Sequence, residues 1–155
     1  MRFEYRAEEH AVAHLDQTTW RPIVTLGLHR PTGGIVSVEA MLDTGATSSV
    51  FPLCLADIFG AALSTTTQLV AGAGKKPVFT ALIRLTLNSP DSPSIGWDWT
   101  ERVLFSDVRM ASGGVLGGPF FTQFQVDLRL AKGIFTIEDD KSGFRGIARK
   151  PPHHK

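Results

Sequence analysis

The sequence predicts an all-β domain with one or two short helices. Two observations carry that expectation. Short apolar, β-prone runs recur along the chain with turn chemistry between them. Fifteen Gly and nine Pro among 155 residues interrupt the chain too often for long helices. The length fits one domain, against a typical size of roughly 150 residues. Hydrophobic residues at 43% and charged residues at 20% exclude a disordered chain, a collagen and a coiled coil.

The elements follow in order. Pro22–Leu28 and Ile35–Leu42 are apolar runs around His29-Arg-Pro-Thr-Gly-Gly34, which has the chemistry of a hairpin turn. In the second run Val36, Val38, Ala40 and Leu42 share one face while Ser37 and Glu39 take the other, the period of a half-buried strand. Ser48–Phe51 reads as a short strand. Pro52 and Gly60 bracket Leu53–Phe59 as a short helix, Pro just inside the start and Gly just past the end. Thr65–Val70 and Val78–Leu87 read as a second hairpin around Ala71-Gly-Ala-Gly-Lys-Lys-Pro77. Asn88–Gly96 is a Pro/Ser loop within an insertion over 88–100. Arg102–Phe105 is a strand, and Pro119–Phe124 a short helix. Gln125–Leu130 and Gly133–Glu138 form a closing hairpin. Residues 1–20 read as an N-terminal extension, 21–140 as the domain, and 141–155 as a basic, flexible tail.

Sixteen Lys+Arg against fifteen Asp+Glu give a net charge of +1, so bulk charge argues neither for nor against nucleic acid. No apolar run approaches the roughly 18 residues of a membrane span. Three acidic residues interrupt the N-terminus, and no secretory h-region follows. The expectation is a cytoplasmic protein with no nucleic-acid and no membrane partner. A single Cys excludes an internal disulfide and a multi-Cys zinc site.

The informative segment is Ala40-Met-Leu-Asp43-Thr44-Gly45-Ala46-Thr-Ser-Ser-Val50. A carboxylate stands where an apolar strand stops, followed by a hydroxyl, a glycine and a small residue. Such a turn presents Asp43 among backbone amides, and Gly45 lets another chain approach. Three residues alone are as well read as ordinary turn chemistry.

The longer pattern resembles the active-site loop of aspartic proteases, and Ala46 resembles their single-domain, retropepsin-like branch. Val115-Leu116-Gly117 fits the apolar-apolar-Gly segment that packs behind that loop in the family. Gly72-Ala73-Gly74 stands in the order of the family's glycine-tipped flap. The resemblance covers about Arg21 to Glu138. It implies a closed retropepsin-like barrel, with Asp43, Thr44 and Gly45 catalytic and Ala46, Gly72, Ala73 and Gly74 contacting substrate. It implies no cofactor and no metal. Asp-Thr-Gly occurs once, so the resemblance implies a homodimer with one Asp43 from each subunit and an extended peptide or protein as substrate. The extra first twenty residues, the 88–100 insertion and the tail depart from the compact viral pattern. Gly118 also stands where the family commonly has Arg.

Two other readings compete: a non-catalytic module of the same fold for dimerisation or peptide binding, and a plain β domain in which Asp43 is a turn residue. Other motifs are weaker. Gly72-Ala-Gly-Lys75-Lys76 lacks the first glycine and the Ser/Thr of a phosphate loop. Ser112–Gly117 lacks the first glycine of a dinucleotide fingerprint. His10 and His14 lack the His-Glu-x-x-His order of a zinc helix. Cys54, among Leu53, Leu55 and Ile58, is expected to be a buried small hydrophobe. Trp97 and Trp99 suit either a peptide anchor or packing over the neighbouring loop.

Overall fold

The computed structural model describes residues 1–12, 15–63, 68–70, 74–107 and 113–139. Gly72, Ala73, His14 and the 141–155 tail lie outside the described residues. The strands are β1 (Arg2–Glu4), β2 (Arg6–Val12), β3 (Leu15–Arg21), β4 (Ile23–His29), β5 (Ile35–Leu42), β6 (Val50–Pro52), β7 (Ala62–Leu63), β8 (Gln68–Val70), β9 (Gly74–Lys76), β10 (Phe79–Asn88), β11 (Gly96–Ser106), β12 (Val115–Leu116), β13 (Phe124–Arg129) and β14 (Ile134–Asp139). One short α-helix, α1 (Gly118–Phe121), follows β12. Among the described residues no helix is long and apolar enough to cross a membrane.

Six strands close into a barrel in the order β11-β6-β12-β5-β4-β10, with β10 pairing back to β11. Closure removes the free edges that an open sheet would leave to other chains. The β4–β5 hairpin forms where the alternation predicts it. Its turn is fastened by Arg30 N–H to Gly34 O at 3.0 Å and Gly33 N–H to Arg30 O at 3.1 Å. Gly33 and Gly34 take φ of 92° and 86° there, a conformation that side chains with a Cβ resist.

The barrel core mixes aliphatic and aromatic side chains in one cluster. Leu26, Leu28, Leu85, Leu87 and Leu116 are fully buried with Phe51, Phe105 and Phe120. A second sheet, β1-β14-β13, covers the barrel. Phe135 on β14 is fully buried. Its ring stacks on Phe3 at 5.2 Å and meets the edge of Tyr5 at 5.4 Å. Phe3 and Tyr5 fall within the segment read as an N-terminal extension, yet they share this core. Arg6 pairs with Glu39 and ties the start of β2 to β5.

Three expectations need correcting. In the second hairpin, residues 65–67 lie outside the described residues, and the described part of the first arm, Gln68–Val70, does not pair with Val78–Leu87. β8 pairs with β9 instead, while β10 runs the length of β11 and, among the described residues of the preceding arm, meets β7. Pro77 separates β9 from β10 and has no N–H to give a ladder. The segment Leu53–Phe59 is two 3₁₀ turns, Leu53–Leu55 and Asp57–Phe59, closed by Gly60 at φ 60°. The three-residue turn buries Ala56 and Phe59 and leaves Cys54 exposed. Third, the strand expected over Arg102–Phe105 begins at Gly96, and the loop shrinks to 89–95. Trp99 lies against Phe120 and Phe124 at 5.7 and 5.1 Å, and Trp97 against Phe124 at 5.4 Å, so both indoles pack inward.

Candidate active site

Asp43 stands at the end of β5, where the chain leaves the barrel wall and returns seven residues later as β6. Between these two strands lies β12, parallel to β5 and antiparallel to β6. The loop from Asp43 to Ser49 therefore arches over the end of a strand that arrives much later in the sequence. Asp43 N–H donates to Leu116 O at 3.0 Å, and Gly118 N–H donates to Ala46 O at 2.8 Å. Ala46 N–H closes a turn on Asp43 O at 3.1 Å. Gly45 N–H donates to Asp43 Oδ1 at 2.9 Å and aims the carboxylate. Asp43 is half-buried, while Thr44 and Gly45 are exposed and Ala46 is half-buried.

Glycine is required along this seam by contact. A Cβ on Gly117 would lie 2.5 Å from Ser48 O and 2.7 Å from Ala46 O. A Cβ on Gly114 would strike the Phe51 ring at 2.5 Å. The apolar-apolar-Gly segment thus meets the Asp43 loop directly.

No family model matches this chain, and no curated protein sequence matches it. Among solved structures, a retropepsin-like aspartic protease from Rickettsia conorii is similar, with a TM-score of 0.51 and 17% identity over 76% of this chain and 89% of that one. The fold is retropepsin-like. The retroviral protease-like domain of Ddi1 from Leishmania major gives a TM-score of 0.45 at 15% identity, over 75% of this chain and 88% of that one. EIAV protease complexed with the inhibitor HBY-793 gives 0.44 at 17%, over 69% and 88%.

The structure gathers Asp43, Thr44, Gly45 and Ala46 into one turn against β12. Gly74 opens β9 in a separate two-stranded ribbon, and Gly72 and Ala73 lie outside the described residues. The sequence reading missed Ser49 and Glu101. Ser49 is fully buried, and its Oγ accepts Gly117 N–H at 3.1 Å. Trp99 Nε1–H donates to Glu101 Oε2 at 3.0 Å. Glu101 is 4% exposed, and Oε1 finds no hydrogen-bond partner. Burial pushes this carboxyl above the usual carboxylate range, against the smaller opposing pull of Ser49 and Trp99. The signal was present: Trp97, Trp99, Glu101, Val103 and Phe105 share one parity on β11, so an acid stood on the inward face of a strand.

Proposed function

We propose that this chain is an aspartic endopeptidase whose site forms when two copies bring their Asp43 loops together at a twofold axis. The observation that supports it most is the Asp43 carboxylate, aimed by Gly45 N–H in a tied-down loop whose Thr44 and Gly45 are exposed. Two carboxylates a few ångströms apart do not both ionise cheaply, so the pair shares one proton. The ionised Asp43 takes a proton from a water lying between the two. The protonated one polarises the scissile carbonyl and then protonates the leaving amine. The substrate is an extended peptide held by strand addition.

The test is a diverse peptide mixture incubated with wild type and with Asp43→Asn, read by mass spectrometry. Asn keeps the shape but neither accepts the proton nor shares it. The expected loss is at least on the order of 10²–10⁴-fold. In refolded mixtures with a wild-type fraction p, activity per wild-type chain falls in proportion to p. Cleavage by wild type and Asp43→Asn alike would end this reading, and so would activity strictly proportional to the amount of wild-type chain. No cleavage at all would favour the non-catalytic module.

A further inference from the structure

The edge of β1 away from β14 borders a cavity that the proposed chemistry does not use. Met1 O accepts Ile137 N–H, and Tyr5 N–H donates to Gly133 O. Arg2 and Glu4, at the alternate positions, therefore turn their N–H and C=O away from β14. On that side lies a cavity of about 460 Å³, lined by residues 2–6 together with Ile23, Pro90 and Asp91. Its β4 wall is an unfinished ladder, because β10 pairs with β4 only at Leu26, Gly27 and Leu28. Leu42 N–H donates to Pro22 O and Arg30 N–H to Gly34 O, so the even residues of β4 bond β5. Ile23 turns its backbone polar groups to the other side, which β10 does not reach. Pro90 would stand opposite Ile23 if the ladder ran on, and it has no N–H to give. A second cavity of about 370 Å³ continues along β4 and shares Phe3, Arg6, Ile23 and Pro90 with the first.

We propose that this slot binds an extended peptide from another protein, which adds a strand to the open edge of β1 beside β4. Backbone groups left open along a strand edge are a template for a further strand. Neighbouring strands stand roughly 4.8 Å apart. A strand that brought its own sheet would drive its neighbour into Ile23 and Pro90, so a lone segment fits and a folded edge does not. Side chains on β1 set the ligand's sequence. Arg2 and Glu4 are exposed, and Phe3 between them is buried. Neither Arg2 nor Glu4 has an ion-pair partner among the described residues. An antiparallel strand, the more stable pairing, is complementary when it sets a base opposite Glu4, an apolar residue opposite Phe3 and an acid opposite Arg2. The ligand then reads base, apolar, acid from N- to C-terminus. The chain's own segment 141–155 has no acidic side chain to meet Arg2. The inference does not rest on the Asp43 reading.

The experiment adds a capped peptide, Thr-Thr-Lys-Val-Glu-Thr-Thr, to the full chain and follows the backbone amides by nitrogen-15 NMR. Binding is expected to move the Arg2, Glu4 and Ile23 signals and to slow exchange of the Arg2 and Glu4 amides. Glu4→Pro removes an N–H aimed into the slot and none that bonds β14, and it should weaken binding by about tenfold. Should that variant fail to fold, the exposed pair Arg2→Glu with Glu4→Arg decides. It should bind Thr-Thr-Glu-Val-Lys-Thr-Thr roughly 2–5-fold more tightly than the first peptide, the reverse of wild type. Asp43→Asn should bind as wild type does, whether or not the chain cleaves peptides. A probe that does not bind, or that binds both charge orders equally, would overturn the proposal. Shifts confined to residues 43–49 would overturn it too, by placing the peptide at the Asp43 turn. In the free protein, Arg2 and Glu4 amides protected only at high concentration would give the slot to a second copy. Nuclear Overhauser contacts from those amides to residues 141–155 would give it to the chain itself. Either result removes the peptide partner.

Discussion

Replacing Gly117 by alanine adds one methyl group where the chain has no space for it. The new carbon would stand 2.5 Å from Ser48 O and 2.7 Å from Ala46 O. A carbon–oxygen contact settles near roughly 3.3–3.6 Å, so β12 and the loop must part by about 0.8 Å. Both sides are backbone, and no rotamer change absorbs the strain. Overpacking of this kind costs about 1–3 kcal/mol, which in a domain of this size lowers the melting temperature by roughly 2–12 °C. The displacement falls on the loop that carries Asp43. A misplacement of about 1 Å costs on the order of 10²-fold in turnover. Gly34→Ala is the control: nothing lies within 4 Å of its Cβ, but its φ of +86° is strained. That variant should lose about 1–2 kcal/mol from the left-handed conformation and keep its Ala46–Ser49 amide signals and its turnover. Calorimetry, amide spectra and the peptide assay read the two side by side. If Gly117→Ala melts with wild type and its Ala46–Ser49 amides do not move, the tight seam behind Asp43 is refuted.

Phe135→Ala removes the ring on which Phe3 and Tyr5 pack. It should cost about 3–5 kcal/mol in urea denaturation, and a loss under 1 kcal/mol would mean that the N-terminal strand is not part of the core. Glu101→Gln should gain stability over wild type as pH rises. The folded-state pKa of Glu101 is raised, so its contribution is fully present below the unfolded value of about 4.3 and is lost as pH climbs through the folded value. A constant offset from the new amide N–H₂ is expected at every pH. A stability difference that does not widen from acid to neutral pH would contradict a buried, uncharged acid.

The parts legible in the sequence were those whose cause is local. The β4–β5 hairpin showed itself through alternation over Val36 to Leu42 and through Gly33-Gly34. The Asp43 turn showed itself because its polar residues follow an apolar strand at once. What escaped was the choice of partner. Val78–Leu87 reads as a strand, yet nothing within it says that Gly96–Ser106 rather than Gln68–Val70 lies alongside. The Pro and Ser of the loop hid the start of β11 at Gly96, although Trp97 and Trp99 already kept its alternation. Cys54 was misplaced because Pro52 and Gly60 mark a helix without fixing its pitch, and a three-residue turn buries a different set of side chains. Glu101 kept the parity of a core residue and was passed over for its charge.

The insertion of β12 between β5 and β6 also orders events in time. Ser49 and Gly117 are 68 residues apart, so at 5–20 residues per second a ribosome delivers the second roughly 3–14 s after the first. Through that interval Asp43 has been synthesised but has neither the Leu116 carbonyl above it nor Gly118 to hold Ala46. The facing sides of β5 and β6 stay unpaired, a sticky slot in the growing chain. The carboxylate is therefore set in place late in synthesis, and any fragment ending before Val115 carries the Asp-Thr-Gly motif without the strand that gives it a shape.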